Sequence, residues 1–168
     1  MTNAELKALE LLKEAAVEFP SLAMKEIIAQ FNNVEVYQVD MTDINQELSW
    51  VVQEKDWKYY VYVNAKDSDW RKRFTIAHEL WHIVLWHVPT GGILKDNLKF
   101  RDPTHNYTDE EKKQEVEAND FAANLLMPSE AVQKNFSLFD TISELAKFFN
   151  VSEQAMRFRL DNLWLTQC

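Results

Sequence analysis

The stretch RFTIAHELWHIVLWH, residues 73–87, carries two histidines four positions apart, with a glutamate directly after the first. Apolar residues occur on nearly every side of its helical wheel, which is typical of a helix buried in a core. On such a helix, His78 and His82 differ by about 40° in direction and about 6 Å in rise, so both imidazoles can reach one ion. Glu79 is turned about 100° from His78, where its carboxylate can take a proton from water. The stretch therefore predicts a metal site with a general base, on a buried helix over about residues 68–87.

An ordinary core helix that holds three histidines is the alternative to a metal site. A buried histidine is more often a hydrogen-bonded core residue than a ligand, and the pattern H-E-x-x-H has known false positives. The position of Glu79 favours a metal, because an unpaired carboxylate on an otherwise apolar helix is costly to bury. His87 lies five residues after His82, so we expect it to point elsewhere, as a loop-facing or structural histidine.

A third metal ligand is expected from a carboxylate on a later helix, because two histidines alone do not complete such a site. The segment TDEEKKQEVEANDFAANLLMP, residues 108–128, predicts a helix. Its apolar stripe consists of Ala118, Phe121, Ala122, Leu125 and Leu126. Glu115 lies about 60° from the centre of that stripe and Glu117 about 95° from it. Glu115 is the predicted third ligand, with Glu117 as the alternative, and a solvated role for Glu115 stays open.

The composition is typical of one globular domain, with room for a small C-terminal subdomain. The chain has 168 residues, enough to enclose a hydrophobic core without help from a metal. Its formal charge of -9 argues against a broad attraction to nucleic acid or anionic lipid. No apolar run approaches bilayer length and no secretory signal is visible, so we expect a cytoplasmic protein. Cys168 is the single cysteine, which leaves histidine and carboxylate as metal ligands.

The first half of the chain predicts two helices followed by a small, mainly antiparallel sheet. Apolar residues at positions 6, 9, 12, 16 and 19 predict a helix that stops at Pro20, and a short helix follows over about residues 22–31. Segments rich in β-branched and aromatic residues predict three strands. These strands cover residues 34–39, 47–53 and 57–63. The short polar connection between the last two predicts a hairpin.

The second half of the chain is predicted to be helical after a long loop. Residues 88–107 contain both glycines and are predicted to form that loop. Thr108 and Glu111 have the form of a capping box, as do Thr141 and Glu144. The segments ISELAKFF and SEQAMRFRLDNLW predict two final helices joined by residues 150–151. Together the two halves predict an α+β fold.

Three segments in order, RFTIAHELWH, EVEANDFAANLLMP and LAKFFNVSEQAMRFRL, resemble the ImmA/IrrE family of zinc metallopeptidases over roughly residues 73–160. The resemblance implies a gluzincin-like site with Zn²⁺ bound by His78, His82 and Glu115, and with Glu79 as the general acid and base. It implies a zincin-like metallopeptidase domain with a small antiparallel sheet over residues 1–136. A helix-turn-helix-like subdomain over residues 137–168 is expected to pack on that domain.

The resemblance also implies a function. Members of this family are typically intracellular endopeptidases that cleave a helix-turn-helix transcriptional repressor, in phage, mobile-element or stress-response regulation. We therefore expect a protein substrate, with no direct contact to nucleic acid or membrane. Trp81 stands where the family commonly has glycine, and the spacer between His82 and Glu115 is long. His105 and Tyr107 in the predicted loop are candidates for stabilising an oxyanion, but each fits ordinary loop surface equally well.

Two other functions stay open. The C-terminal helices have the spacing of a DNA-binding helix-turn-helix, but residues 134–168 carry as many acidic as basic side chains, whereas a recognition unit normally needs a basic surface. Four are basic and four acidic: Lys134, Lys147, Arg157 and Arg159 against Asp140, Glu144, Glu153 and Asp161. The second alternative is a catalytically inactive zincin-fold module that binds a protein partner, for which Trp81 is the sequence support.

Overall fold

The computed structural model of the chain describes residues 2–16, 24–41, 50–85, 87–88, 93–95 and 108–165. Within these residues the chain forms seven helices and four strands. In chain order they are α1 (Asn3–Glu14), α2 (Met24–Ile28), β1 (Val34–Val39), β2 (Trp50–Lys55), β3 (Lys58–Asn64), α3 (Asp69–Val84), β4 (Ile93–Lys95), α4 (Asp109–Leu126), α5 (Ser129–Phe136), α6 (Ile142–Phe149) and α7 (Glu153–Asn162). The α+β class predicted from the sequence is confirmed.

The four strands form one sheet in the order β1-β3-β2-β4. β2 and β3 make the predicted hairpin, with Trp50 opposite Val63. Its two turn residues, Asp56 and Trp57, have φ angles of 53° and 65°. A left-handed conformation at both central positions is what a type I′ turn requires, and its twist matches that of the flanking strands. The hairpin thus forms despite the absence of glycine from its turn.

The sheet is mixed rather than wholly antiparallel. Among the described strands, β2 pairs antiparallel with β3, as predicted, and also with β4, which was not predicted, whereas β1 pairs parallel to β3. β4 lies inside residues 88–107, which the sequence predicts to be a loop. Three residues are too few for an alternating pattern to be recognised. The order of strands depends on contacts between distant parts of the chain, so local propensity could not predict the parallel pair.

α3 lies against the sheet, next to β3. Tyr59, Val61 and Val63 are buried at every second position of β3, because successive side chains of a strand point to opposite faces. Ile76, Ala77 and Leu80 are among the buried residues of α3. The sheet therefore covers one side of the helix that carries the H-E-x-x-H group.

α1 buries a different face from the one predicted. The apolar pattern at positions 6, 9 and 12 places Leu6 inside, but Leu6 is 42% exposed. The buried residues are Ala4, Ala8, Leu11 and Leu12. α1 packs against α4, and alanine allows two helix backbones to approach closely. Alanine contributes little to an apolar pattern, so the pattern of larger side chains placed the exposed Leu6 in the core.

α4 packs against both α3 and α1. It begins at the predicted capping box, in which Glu111 N donates to Thr108 Oγ1 at 3.1 Å and Thr108 N donates to Glu111 Oε2 at 2.8 Å. Its buried residues include the whole predicted apolar stripe, with Asn124 in addition. Trp81 of α3 is buried and stacks on Phe121 of α4, with ring centroids 4.9 Å apart. These contacts fix the face that α4 turns towards α3.

Two arginines attach the C-terminal helices to the rest of the molecule. Arg73 of α3 donates to the carbonyl oxygens of Phe149 and Asn150 at the end of α6, each at 3.3 Å. Arg159 of α7 donates through Nε to the carbonyl oxygen of Met127 at 2.8 Å and through Nη2 to Asn124 Oδ1 at 2.7 Å. The boundary between a metallopeptidase domain over residues 1–136 and a C-terminal subdomain over residues 137–168 stays a prediction. In the described part of the chain, no helix combines the length and apolarity needed to cross a membrane.

Candidate metal centre

α3 brings the two predicted histidine ligands to one point. Their four-residue spacing places them on the same face of the helix, and the ring centroids of His78 and His82 lie 4.9 Å apart. The two Nε2 atoms face each other at 3.1 Å. His82 is buried and His78 is partly exposed. The pair thus presents two nitrogen atoms to the same small volume, at the edge of the helix interface.

Glu115 of α4 reaches the same point from the opposite helix. Its Oε2 lies 3.1 Å from His78 Nε2, and its Oε1 lies 3.5 Å from His82 Nε2. The alternative, Glu117, lies 3.9 Å from Lys113 Nζ of the same helix, and its side chain is 39% exposed. The structure thus brings together the three predicted ligands and leaves Glu117 outside the cluster. Fully buried Ala118 and Ala122 allow the close helix approach that this requires.

Glu79 lies beside this cluster, as its position in the helix predicts. The side chain is fully buried, and its Oε1 lies 3.9 Å from His78 Nε2. One of its oxygen atoms therefore lies beside the converging nitrogen atoms, within 4.8 Å of a nitrogen of each histidine. Its separation from His78 Nε2 is larger than that of Glu115, 3.9 against 3.1 Å, which fits a group that exchanges protons with a water molecule at the site.

The spacing of the three donor groups fits one zinc ion. Ligands that bind Zn²⁺ at about 2.0–2.1 Å with tetrahedral angles lie about 3.3 Å from each other. The donor separations here are 3.1, 3.1 and 3.5 Å. Two imidazoles and one carboxylate also form a donor set that suits zinc.

The ring tautomers support the same conclusion. His78 Nδ1 lies 3.1 Å from Asn119 Oδ1, an atom that accepts hydrogen bonds only, so the proton of neutral His78 is on Nδ1. His82 Nδ1 lies 3.1 Å from His87 Nδ1. A proton on His82 Nδ1 makes that contact a hydrogen bond and leaves its Nε2 without one. With that choice of tautomers, two nitrogen lone pairs and a carboxylate face each other, an arrangement that a cation between them would stabilise.

His82 is neutral at pH 7 and is therefore in the form that binds metals. Burial lowers the pKa of His82 to about 4, because desolvation disfavours the imidazolium cation and the neighbouring His78 adds repulsion. Glu115 acts in the opposite direction. A histidine must lose its ring proton at the ligand atom before it binds a metal ion. The structure thus holds His82 ready for coordination.

Asn119 and His87 contact the two ligand histidines, and the sequence patterns predicted neither contact. Asn119 follows Glu115 by four residues, so helical spacing places it on the ligand face and could have revealed it. His87 points away from the three donor atoms, as expected of a loop-facing or structural histidine, because it meets His82 at Nδ1 and not at Nε2. The centroids of the two rings lie 5.3 Å apart. α3 ends at Val84, and His87 N donates to His82 O at 2.9 Å. His87 is therefore outside the helix, where the helical wheel no longer applies.

His105 and Tyr107, the two candidates for oxyanion stabilisation, lie outside the described residues.

Comparison with known proteins identifies a family. A sequence model of the Peptidase M78 family, described as the IrrE N-terminal-like domain, matches residues 30–161. No curated protein matches the chain. The fold is similar to that of a solved Mycobacterium tuberculosis transcriptional regulator, with a TM-score of 0.68 and 17% sequence identity. That match covers 96% of this chain and 47% of the other. The chain thus spans about half the length of that solved protein, and at this identity the likeness concerns the fold alone.

Proposed function

Since the chain belongs to the Peptidase M78 family, we propose that it is a zinc-dependent endopeptidase. The observation that carries this proposal is the convergence of His78, His82 and Glu115 from two helices, with donor separations of 3.1 to 3.5 Å. Fully buried Glu79 lies beside them. A core helix that merely holds histidines does not account for an acidic residue supplied by a second helix at the same point.

The residues of the site would have two roles, binding of the ion and transfer of a proton. Bound zinc would supply a Lewis acid for a carbonyl oxygen and lower the pKa of water at the site to about 7. His78, His82 and Glu115 would hold the ion, while Asn119 and His87 orient the two imidazole rings. Glu79 would accept a proton from the attacking water at its carboxylate and deliver it to the nitrogen of the leaving amine. The Glu79 side chain is fully buried on α3, and this burial keeps its carboxylate in place.

The proposed substrate is a helix-turn-helix transcriptional repressor, and the proposed location is the cytoplasm. The support for the substrate is the family resemblance. The formal charge of -9 supports a protein substrate over direct binding to DNA or to an anionic membrane. Trp81, which suggested an inactive module, stacks on Phe121 as part of the contact between α3 and α4. That role requires no loss of catalysis.

Replacement of Glu79 by Gln tests the proposed function, because it removes the proton acceptor but none of the three ligands. We expect the variant to keep its zinc, measured by plasma mass spectrometry, and to cleave purified helix-turn-helix repressors about 10²- to 10⁴-fold more slowly than the unchanged protein. Cleavage products are identified by mass spectrometry. Equal cleavage rates for the two proteins would refute the peptidase assignment, as would zinc-loaded protein that cleaves none of the repressors.

A further inference from the structure

A long groove lies beside the candidate metal centre. Its larger part has a volume of about 710 Å³, with walls formed by the start of α1, one face of α4, and α7. A smaller part of about 320 Å³ extends it past the first turns of α3. The two parts share Phe74, Ala155 and Phe158. They therefore adjoin at these residues, and together they are here called the α4–α7 groove.

Large apolar side chains are exposed along this groove. Val116 of α4 is 67% exposed, Phe158 of α7 is 61% exposed, and Trp70 of α3 is 39% exposed. Phe74 and Met127 add to the lining. Single exposed apolar residues are common on protein surfaces, but several that meet in one concave surface mark a place where another molecule binds.

The groove lies beside the helix faces that carry the metal ligands, and it meets His78 through Phe74 and Asn119. On α3, Trp70 and Phe74 precede His78 at intervals of four residues, and the rings of Phe74 and His78 lie 6.3 Å apart. On α4, Asn119 lines the groove and also contacts His78 Nδ1 at 3.1 Å. A molecule that lies in the groove is therefore about one helical turn from the candidate metal centre.

The charges around the groove favour a positively charged occupant. Glu117 and Asp120 line it, and α4 as a whole, with the sequence DEEKKQEVEANDFAANLL, has more carboxylates than lysines. Arg159 also lines the groove, but it is buried and its guanidinium donates to Met127 O and Asn124 Oδ1. The cation is thus directed into the protein. Asp120 accepts hydrogen bonds from Thr2 Oγ1 at 2.6 Å and from Asn124 Nδ2 at 3.0 Å, and Glu117 lies 3.9 Å from Lys113 Nζ. Two carboxylates thus line the groove against one buried guanidinium. Electrostatic complementarity of this kind selects partners and their orientation.

The walls of the groove also indicate the conformation of the occupant. They consist of helices and helix ends, and none of the lining residues belongs to a strand. An extended peptide would find no strand edge here and would leave its own backbone groups unpaired in an apolar trough. A helical segment satisfies its own backbone groups and can present apolar side chains at positions i, i+3, i+4 and i+7.

We propose that the α4–α7 groove docks an amphipathic, net-positive helical segment of the protein substrate and so places a neighbouring bond at the metal centre. This inference rests on the proposed peptidase function, which it extends to recognition of the substrate. Phe158 and Val116 form the apolar contacts from the two walls, while Glu117 and Asp120 lie opposite the basic residues of the segment.

The test uses a fluorescein-labelled synthetic helix of eighteen residues with leucine on one face and lysine on the other, and binding is measured by fluorescence anisotropy. The full chain is compared with Phe158→Ser and Val116→Ser, one from each wall. We expect Kd to rise about tenfold or more in each variant. Leu138→Ser is the matched control, because Leu138 is 69% exposed and does not line the groove. Circular dichroism confirms that each variant is folded. A peptide with glutamate in place of lysine is expected to bind about tenfold more weakly or worse.

Equal affinity of the groove variants and the Leu138→Ser control would overturn the proposal. A second result would also overturn it: the chain is a dimer, Phe158→Ser dissociates that dimer, and the peptide does not bind. A second copy of the chain would then be the occupant of the groove. Binding requires no turnover, so Glu79→Gln is expected to bind the peptide normally. If the protein cleaves no repressor but binds the peptide in a way that depends on Phe158, the peptidase proposal alone is refuted. If the protein cleaves a repressor but its peptide affinity is unchanged by Phe158→Ser, the docking proposal alone is refuted.

Discussion

Glu115 joins two helices at the candidate metal centre, because its carboxylate comes from α4 while both imidazoles come from α3. Its oxygen atoms lie 3.1 and 3.5 Å from the two Nε2 atoms. The angular distances of Glu115 and Glu117 from the centre of the apolar stripe differ by only about 35°. The sequence could therefore favour Glu115, but only the contact between the two helices shows which carboxylate reaches the histidines.

Replacement of Glu115 by Gln is expected to weaken zinc binding by more than about 100-fold, since it removes the anionic ligand. Zinc affinity is measured by competition with a chromophoric chelator. Glu117→Gln is the matched control, because it removes the same charge from the same helix two residues away, and we expect less than a threefold change for an exposed group. A larger loss of affinity from the Glu117 variant than from the Glu115 variant would show that the phase of α4 is wrong.

His87 follows the end of α3, where helical geometry no longer sets the direction of a side chain. Its separation from His82 by five residues predicts a different direction on a helix, but α3 ends at Val84 and the chain turns back. The side chain then lies 3.1 Å from His82 Nδ1. Helix ends are defined by a few competing hydrogen bonds, and their exact position is poorly determined by sequence. A difference of three residues between the predicted and the observed end of α3 was enough to hide the contact of His87 with His82.

At the scale of elements, α3 and α4 follow their predicted patterns more closely than α1 does. Both capping boxes form as predicted, at Thr108 and at Thr141, because a capping box is made within four consecutive residues. The face that α1 buries depends on the helix it packs against. Ala4 and Ala8 are buried since α4 approaches closely there, a fact that the sequence of α1 does not contain.

Arg159 holds α7 against the end of α4, and its replacement by Met is expected to destabilise the protein by about 1–3 kcal/mol. The variant leaves two buried acceptors, Met127 O and Asn124 Oδ1, without the donor they have now. Urea denaturation gives the free energy of unfolding. Arg157→Met is the control, because Arg157 is exposed and pairs with Glu153 one turn away, and we expect a change within about 0.5 kcal/mol. Similar losses in the two variants would contradict this role of Arg159.

At the scale of the whole molecule, one hydrophobic core includes residues from the sheet and from helices between α1 and α7. The chain is long enough for this core to form without a metal. The candidate metal centre lies between α3 and α4, two helices that already pack through Trp81 and Phe121. A metal ion would therefore add stability to a protein that is folded without it.

Removal of the metal with EDTA is accordingly expected to lower Tm while the chain stays folded at 25 °C. A ligand at a hundred times its Kd contributes about 2.7 kcal/mol, which corresponds to a shift of about 5–11 °C for a domain of this size. Calorimetry with and without EDTA measures the shift. His78→Ala is expected to abolish it, whereas Glu79→Gln, which keeps all three ligands, should retain it. Complete unfolding in EDTA would mean that the metal is needed for folding.

The sequence by itself determined the features that are made within one element. The direction of His78, His82 and Glu79 on α3, the buried stripe of α4 and the capping boxes follow from helical geometry over a few residues, which neighbours along the chain specify. The resemblance of three such motifs was likewise enough to indicate the family, which the match over residues 30–161 shows.

The tertiary structure decided what depends on contacts between distant residues. The parallel pairing of β1 with β3, the strand β4, the buried face of α1, the return of His87 to His82 and the α4–α7 groove all involve parts of the chain that meet only after folding. Such contacts depend on how close two backbones come and on what else competes for the same surface. The distance between two backbones and the competition for a surface cannot be predicted from the pattern of a single segment, because both depend on how the whole molecule packs.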